Sequence, residues 1–177
     1  LFLNALSKQE NLDTVYSYRS LRQDEDNHCV GMEGFAFHPE VEGVRLPTEA
    51  EWILAAEKGW NPKRGWNSEK SDYKTHPVCH ASKNDNGICD LAGNVKEWVN
   101  DWLGYFRDTT LTDYVGAPDG GSVGERVVKG GSFRNEASSI RLYSRGDVYT
   151  VTSSTKGDYL GFRIAIGKIP NATWMSS

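Results

Sequence analysis

The sequence has no long apolar run and no excess of basic residues, and both absences restrict its function. No stretch approaches the roughly 20 apolar residues of a transmembrane helix, so we predict no membrane-spanning segment. The 20 Lys and Arg residues are outnumbered by 24 Asp and Glu, which gives a net charge of −4. Because nucleic-acid-binding domains carry a basic patch or stripe, we also predict no nucleic-acid partner.

Cysteine is scarce. The three residues, Cys29, Cys79 and Cys89, leave one unpaired whatever disulfide forms. Cys79 and Cys89 flank a polar loop and could form a disulfide, which would fit an exported protein. Three reduced cysteines that pack as small hydrophobic residues are an equal alternative.

Glycine and large aromatic residues are abundant instead. The chain has 18 Gly, 6 Trp and 8 Tyr among its 177 residues, which indicates a loop-rich domain with an aromatic core. This length suits one domain, which we place at residues 1–170. The chain begins without Met inside an apolar pattern, so we interpret it as an N-terminally truncated piece of a longer protein. We interpret residues 171–177 as a linker stub.

Local patterns predict a few regular elements. Thr48 and Glu51 form a capping-box pattern, which predicts a helix from Glu49 to Lys58 that ends at Gly59. Residues 1–9 are predicted to be helical. Strands are predicted over residues 126–133, 140–145 and 159–167, the last two from alternating apolar residues.

The most unusual stretch is residues 87–102, G-I-C-D-L-A-G-N-V-K-E-W-V-N-D-W. It fits neither helical periodicity nor strict alternation. Asp90 and Glu97 flank Gly93, and two carboxylates around a tight turn could converge on a hard cation such as calcium. A buried turn whose carboxylates accept backbone hydrogen bonds is an equal alternative.

Four stretches in order resemble the motifs of one family. Residues 87–102 resemble the G-L-Y-D-M-A-G-N-V-W-E-W-x-x-D-W signature of the formylglycine-generating-enzyme (sulfatase-modifying factor) family. R-L-P-T-E-A-E-W at 45–52, V-K-G-G-S-F at 128–133 and L-G-F-R at 160–163 resemble its other motifs. The resemblance covers almost the whole chain. It implies an α+β, C-type-lectin-like fold that is loop-rich, with little regular secondary structure.

The resemblance also implies a structural calcium ion. Its ligands would be the side chains of Asp90 and Glu97 and the carbonyls of Gly93 and Val95. Such an ion would neutralise two carboxylates and hold an irregular loop. Lys96 departs from the family pattern, which prefers Trp at this position.

Catalytic members of the family bind copper through two cysteines that follow the G-G-S motif, and they oxidise a substrate cysteine. The matching positions here are Asn135 and Ile140, and no cysteine occurs after Cys89. Copper(I) requires soft thiolate ligands. The resemblance therefore implies a degenerate member, with no copper and no formylglycine-forming activity.

Binding proteins of the same fold display variable side chains between the G-G-S and G-F-R motifs. This segment is rich here in Arg, Tyr, Asn and Ser, which suit adaptable polar recognition. An ordinary solvated surface is the alternative interpretation. The predicted ligand-binding residues are Arg134, Asn135, Arg141, Tyr143 and Arg145.

We therefore predict a non-catalytic binding or structural module of a larger exported protein of bacterial type, located outside the cytoplasm or in the cell envelope. Its expected partners are an unidentified protein or glycan and other domains of the same polypeptide. One alternative is a sulfatase-modifying-type oxidoreductase with a rearranged active site. The other is a carbohydrate-binding, lectin-like domain.

Overall fold

The structure is a computed structural model that describes residues 1–81, 83–105, 108–146 and 150–175. Most of these residues lie in loops, which confirms the predicted loop-rich α+β fold. The regular elements are α1 (Phe2–Gln9), β1 (Tyr16–Ser17), β2 (Ser20–Gln23), β3 (Cys29–Glu33), β4 (Ala36–Phe37), β5 (Gly43–Arg45), α2 (Glu49–Glu57), a 3-10 helix (Pro62–Arg64), β6 (Lys96–Trp102), β7 (Arg126–Lys129), β8 (Leu160–Phe162) and β9 (Ala165–Gly167). Within the described residues, no helix has the length and apolar character needed to cross a membrane.

The chain forms two compact units. The first comprises residues 1–45 and 164–172. It contains α1 and three antiparallel two-stranded sheets, β1–β4, β2–β3 and β5–β9. Ser7 of α1 is buried, and its hydroxyl accepts a hydrogen bond from the amide of Val44 at 2.8 Å. This bond ties the helix to β5 inside the unit.

The second unit comprises residues 46–163 and the described residues from 173 onward. Its sheet has the order β7–β6–β8, with β7 antiparallel and β8 parallel to β6. The core between α2 and this sheet consists of Trp52, Ala56, Leu91, Val99 and Val127. The aromatic core that the composition indicates is thus centred on a single fully buried tryptophan.

Helix α2 begins at the predicted capping box. The amide of Glu51 donates to the Thr48 hydroxyl at 3.2 Å, and the amide of Thr48 donates to the Glu51 carboxylate at 2.9 Å. The helix ends one residue earlier than predicted, because Lys58 already has extended backbone angles. Gly59 then turns the chain with φ of +77°.

The predicted strand over residues 126–133 ends at Lys129. Gly130 and Gly131 follow with φ of +86° and +68°, a left-handed conformation that cannot continue a strand. A β-carbon on Gly130 would lie 2.8 Å from the carbonyl oxygen of Leu91. Glycine is therefore required at this position for close backbone approach as well as for its conformation.

The strand predicted over residues 140–145 is wrong. The structure has a turn there, in which the amide of Ser144 donates to the carbonyl of Arg141. Ile140 is buried against Gly131, whereas Arg141 and Tyr143 are exposed. Apolar and polar residues alternate in this turn as they would in a half-buried strand, so the sequence pattern does not distinguish the two.

The strand predicted over residues 159–167 is two strands. β8 ends at Phe162 in the sheet of the second unit, and β9 begins at Ala165 in a sheet of the first unit. Arg163 separates them, and its guanidinium turns to the Glu97 carboxylate. The apolar residues at alternate positions from 160 to 166 therefore do not share one sheet face.

We expect Thr48→Ala to lower the free energy of unfolding by about 1 kcal/mol, because it removes the hydroxyl that caps α2. Urea denaturation should show a lower midpoint with an unchanged slope. The exposed Thr75→Ala variant serves as the control and should match the parent chain. Equal midpoints for both variants would show that the capping box does not stabilise the fold.

Candidate functional site

One face of β6 carries two buried acidic side chains. Glu97 accepts a hydrogen bond from the indole of Trp52 at 2.7 Å. Both of its oxygens also accept from Arg163, with Nε at 2.6 Å and a terminal nitrogen at 2.5 Å. Residues from three of the sequence motifs thus meet at one carboxylate.

Four charged residues form a second group, which we call the buried charge cluster: Glu49, Asp101, Lys129 and Arg145. The Glu49 carboxylate accepts from Lys129 Nζ at 3.2 Å and from Arg145 Nε at 2.8 Å. The amide of Glu49 donates to Asp101 Oδ2 at 2.8 Å. Because this amide lies in the first turn of α2, Asp101 satisfies a donor that the helix itself cannot.

Burial raises the pKa of Asp101 from its ordinary value of 3.8 to about 7. The hydrogen bond from the Glu49 amide opposes this rise, as does the charge of Arg145, whereas the negative charge of Glu49 adds to it. Burial raises the pKa of the Tyr114 phenol, and the nearby charge of Asp101 raises it further. Burial lowers the pKa of Lys129, and Glu49 opposes the change.

The raised pKa of Asp101 predicts a pH-dependent stability. Between about pH 4 and pH 7 the folded protein keeps a proton that the unfolded chain has released, so the free energy of unfolding falls as pH rises. The slope contributed by Asp101 is at most about 1.4 kcal/mol per pH unit, and it disappears above the folded pKa. Asp101→Asn keeps an oxygen for the Glu49 amide but cannot titrate.

We therefore expect the melting temperature of the parent chain, relative to Asp101→Asn, to decline from pH 5 to pH 7 and then level off. The exposed Asp26→Asn variant is the control and should follow the parent curve. Parallel curves for the parent chain and Asp101→Asn would show that Asp101 ionises normally.

Three of the predicted calcium ligands, Asp90, Gly93 and Val95, lie in an irregular turn before β6, and the fourth, Glu97, is in β6 itself. Asp90 and Gly93 have φ of +53° and +84°. Asp90 Oδ2 accepts from the amide of Cys79 at 2.6 Å, and Oδ1 is buried with no hydrogen-bond partner among the described residues. That oxygen fits a metal ligand.

Glu97 fits the calcium role less well. Its carboxylate is neutralised by Arg163, which also donates to the carbonyl of Cys89 at 3.1 Å. In the part of the chain that is described, no three His, Cys, Asp or Glu side chains form a group that could hold a metal. Calcium bound through Asp90, Gly93, Val95 and Glu97 therefore stays a prediction.

The cysteines have one arrangement in the structure. Cys79 and Cys89 form a disulfide, with their Cα atoms 5.0 Å apart. Cys29 is a free thiol, exposed on β3 of the first unit. Of the two alternatives that the sequence left open, the disulfide is therefore the one that the structure contains.

A cavity of about 180 Å³ lies beside the end of β7. We call it the Asn135 cavity. Its walls combine the backbone of the Gly130–Gly131 turn with polar and charged residues. The polar and charged lining residues are Lys96, Lys129, Asn135, Ser139, Arg141 and Ser144, and Gly146 also lines the cavity.

Asn135 and Ile140, the positions that match the copper-binding cysteines, both line this cavity. The side-chain amide oxygen of Asn135 (Oδ1) accepts from the backbone amide of Ser132 at 2.9 Å and from the Ser132 hydroxyl at 3.1 Å. Ile140 is 4% exposed and packs against Gly131. The two positions that the resemblance matches to the copper-binding cysteines thus line one cavity and carry an amide and an aliphatic side chain.

The structure distributes the five predicted ligand-binding residues among different environments. Asn135 and Arg141 line the cavity. Arg134 forms an exposed ion pair with Asp158 at 2.5 Å. Tyr143 is 69% exposed and outside the cavity lining. Arg145 is committed to Glu49 in the buried charge cluster, so its guanidinium has a structural partner rather than an open surface.

Sequence reasoning missed the partners of these residues. Lys96 was noted only as a departure from the family pattern, yet it is 7% exposed and lines the cavity. Glu49 and Lys129 were included in motifs without a role. The sequence does contain a clue to these contacts, because the motifs place charged residues among apolar ones. Charged residues are seldom fully buried unless they are paired.

The chain matches the model of the sulfatase-modifying factor enzyme 1-like domain over residues 4–168. It belongs to this family. It is 33% identical over 156 residues to the serine/threonine-protein kinase pkn1 of Chlamydia caviae, covering 76% of this chain and 25% of the kinase. It is 31% identical over 149 residues to the formylglycine-generating enzyme of Streptomyces coelicolor, covering 70% of this chain and 46% of that enzyme.

Solved structures share the fold. Treponema denticola variable protein 1 superposes with a TM-score of 0.76 and 27% sequence identity, over 94% of this chain and 66% of that protein. The chain spans about a quarter to a half of the length of the curated relatives described above. Because relatives with different names share this domain, the fold by itself does not decide the activity.

Proposed function

We propose that this chain is a non-catalytic binding module of a larger polypeptide, and that it takes its ligand in the Asn135 cavity. One observation carries the proposal: the cavity at the catalytic position of the family is lined by Asn135 and Ile140 instead of two cysteines. Amide and aliphatic side chains offer copper(I) no soft ligand. The remaining groups of the cavity suit the binding of a polar molecule.

Lys96 adds no copper ligand to the cavity. It is buried in β6, and its ammonium group donates to the carbonyl of Gly146, another lining residue, at 3.4 Å. A protonated lysine has only donors and no lone pair to offer a metal. The replacement of the family's usual Trp by Lys96 therefore acts in the same direction as the loss of the cysteines.

A location outside the cytoplasm is part of the proposal. The Cys79–Cys89 disulfide supports it, because structural disulfides persist in oxidising compartments and are rare in the cytosol. The small share of the relatives that aligns with this chain supports a domain that occurs with other domains. An unidentified protein or glycan remains the expected class of partner.

We further propose that calcium stabilises the turn before β6. Asp90 Oδ1 would bind the ion with the carbonyls of Gly93 and Val95, and Glu97 would share its oxygens with Arg163. The support is the buried, unpartnered oxygen of Asp90, since a buried charged oxygen without a partner is costly. The ion would supply the missing partner.

We expect the parent chain to show no tight copper(I) binding beyond that of the exposed thiol of Cys29. A competition titration of the Cys29→Ser variant, with its disulfide intact, checks this directly. The parallel measurement is oxidation of a cysteine-containing peptide by copper-treated protein, with the Streptomyces coelicolor enzyme as positive control. Cysteine oxidation by this chain would refute the proposal and favour a rearranged oxidoreductase. In a separate experiment, saturable binding on a glycan array would favour the lectin-like alternative.

Calcium removal should lower the melting temperature of the parent chain. A ligand present at 100 times its dissociation constant stabilises the folded state by about 2.7 kcal/mol, so chelation should cause a loss of this order. Asp90→Ala should abolish the response to the chelator, whereas Asp26→Ala, in an exposed turn, should keep it. Elemental analysis should then find about one calcium per parent chain. Identical melting curves with and without chelator would exclude the structural ion.

A further inference from the structure

A serine, a histidine and a glutamate meet at the β1–β4 sheet of the first unit. The hydroxyl oxygen of Ser17 lies 2.7 Å from Nε2 of His38. Nδ1 of the same ring lies 3.6 Å from a carboxylate oxygen of Glu40. This is the order in which a nucleophilic serine, its general base and an orienting carboxylate are arranged in acyl-transfer sites.

The pairing of β1 with β4 brings the serine and the histidine together. Ser17 is directly opposite Ala36. His38 lies two residues beyond Ala36 and continues the pairing, since its amide donates to the carbonyl of Val15 at 2.8 Å. Residues two apart share one face of a strand, so Ser17 and His38 are diagonal neighbours across the sheet. The residue opposite the serine contributes only a methyl group, and Ser17 is exposed.

A turn after β4 positions the carboxylate. Pro39 and Glu40 are its central residues, and the amide of Val41 closes it by donating to the carbonyl of His38 at 3.1 Å. Proline suits the first central position of such a turn because its ring fixes φ. Pro39 is buried, and its carbonyl accepts from the amide of Ile169 at 2.6 Å. The turn that carries Glu40 is therefore anchored within the first unit.

The Glu40 carboxylate favours the histidine tautomer that activates the serine. A negative charge beside Nδ1 stabilises a proton on that nitrogen, which leaves the lone pair of Nε2 to accept a hydrogen bond from the Ser17 hydroxyl. A serine hydroxyl is a weak nucleophile until an adjacent base can take its proton. Ser20, by contrast, donates to the carboxylate of Glu33 at 3.2 Å.

We propose that Ser17 is a site of covalent modification by activated acyl donors, with His38 as the general base and Glu40 as a positioning residue. The Ser17 oxygen forms a bond to the acyl carbon, and its proton passes to His38 Nε2. The bond from that carbon to the leaving alkoxide or thiolate breaks, and the leaving group departs with the proton. An ester or thioester thus yields an alcohol or thiol and an O-acyl serine.

The modification is separate from the binding function proposed above. Ser17, His38 and Glu40 belong to the first unit, whereas the residues that line the Asn135 cavity belong to the second. Acylation changes the chain itself once and requires no turnover, so it is compatible with a non-catalytic module. The His38 side chain is 39% exposed, which lets a donor in solution reach the base and the hydroxyl together.

Acetylation by p-nitrophenyl acetate, located by peptide mass spectrometry, tests the proposal. We expect an acetyl group on Ser17, which fragmentation distinguishes from acetylation of Tyr16 or Tyr18. His38→Gln should slow the acetylation of Ser17 at least about tenfold, because a positioned general base contributes roughly 10²–10⁴-fold to a rate. Circular dichroism checks that this variant is folded. Absence of acetyl-Ser17, or acetylation at the parent rate in His38→Gln, would overturn the site.

Ser20→Ala is the matched control, since Ser20 is also exposed but contacts a carboxylate instead of an imidazole. Ser17 should be acetylated in this variant at the parent rate.

The role of Glu40 is tested by changing its charge. Glu40→Gln should slow the acetylation of Ser17, and Glu40→Asp, which keeps the charge, should react faster than Glu40→Gln. Glu42→Gln, at an exposed residue beyond the turn, is the control and should react like the parent chain. Equal rates for Glu40→Gln and Glu40→Asp would overturn the role of the carboxylate.

Failure of this inference is distinguishable from failure of the proposed function. Absence of acetyl-Ser17 would leave the copper titration and the cysteine-oxidation assay unchanged, so the non-catalytic binding module would still stand. Cysteine oxidation by the chain would refute that function, whatever the acetylation of Ser17 shows.

Discussion

The Glu49 carboxylate is the group on which the second unit depends. It is 2% exposed and joins the first turn of α2 to Lys129 at the end of β7 and to Arg145 in the loop that follows. A buried carboxylate is tolerated only where cations and donors satisfy it, and removal of one partner from such a pair costs about 3–5 kcal/mol. Helix, sheet and loop are therefore held in one arrangement by a single charge.

Glu97, another buried carboxylate, acts in the same way near the start of β6. It joins Trp52 of α2 to Arg163 at the end of β8. Three ion pairs on two buried carboxylates thus replace the long hydrogen-bonded ladders that a larger sheet would provide. Strands of three to seven residues can be positioned accurately because buried charges tolerate few alternative partners.

The same framework shapes the Asn135 cavity with no cysteine among its described lining residues. The Gly130–Gly131 turn and the buried Ile140 shape the wall beside β7, and neither depends on a thiol. Asn135 and Ile140 give this wall an amide and an aliphatic side chain. A scaffold held by buried ion pairs can therefore change its ligand through a few lining residues.

The sequence by itself determined the family, the loop-rich α+β fold, the capping box of α2 and the absence of the catalytic cysteine pair, because these depend on residue types at fixed local spacing. Tertiary structure decided the rest. In the folded chain Cys79 is bonded to Cys89, the Arg145 side chain contacts the buried Glu49, and residues 140–145 form a turn instead of a strand. The disulfide joins residues 10 positions apart and the Arg145–Glu49 contact joins residues 96 apart, and one-dimensional periodicity does not report such contacts. The lining of the Asn135 cavity likewise comes together only in the folded chain, from β6, β7 and the loop after β7.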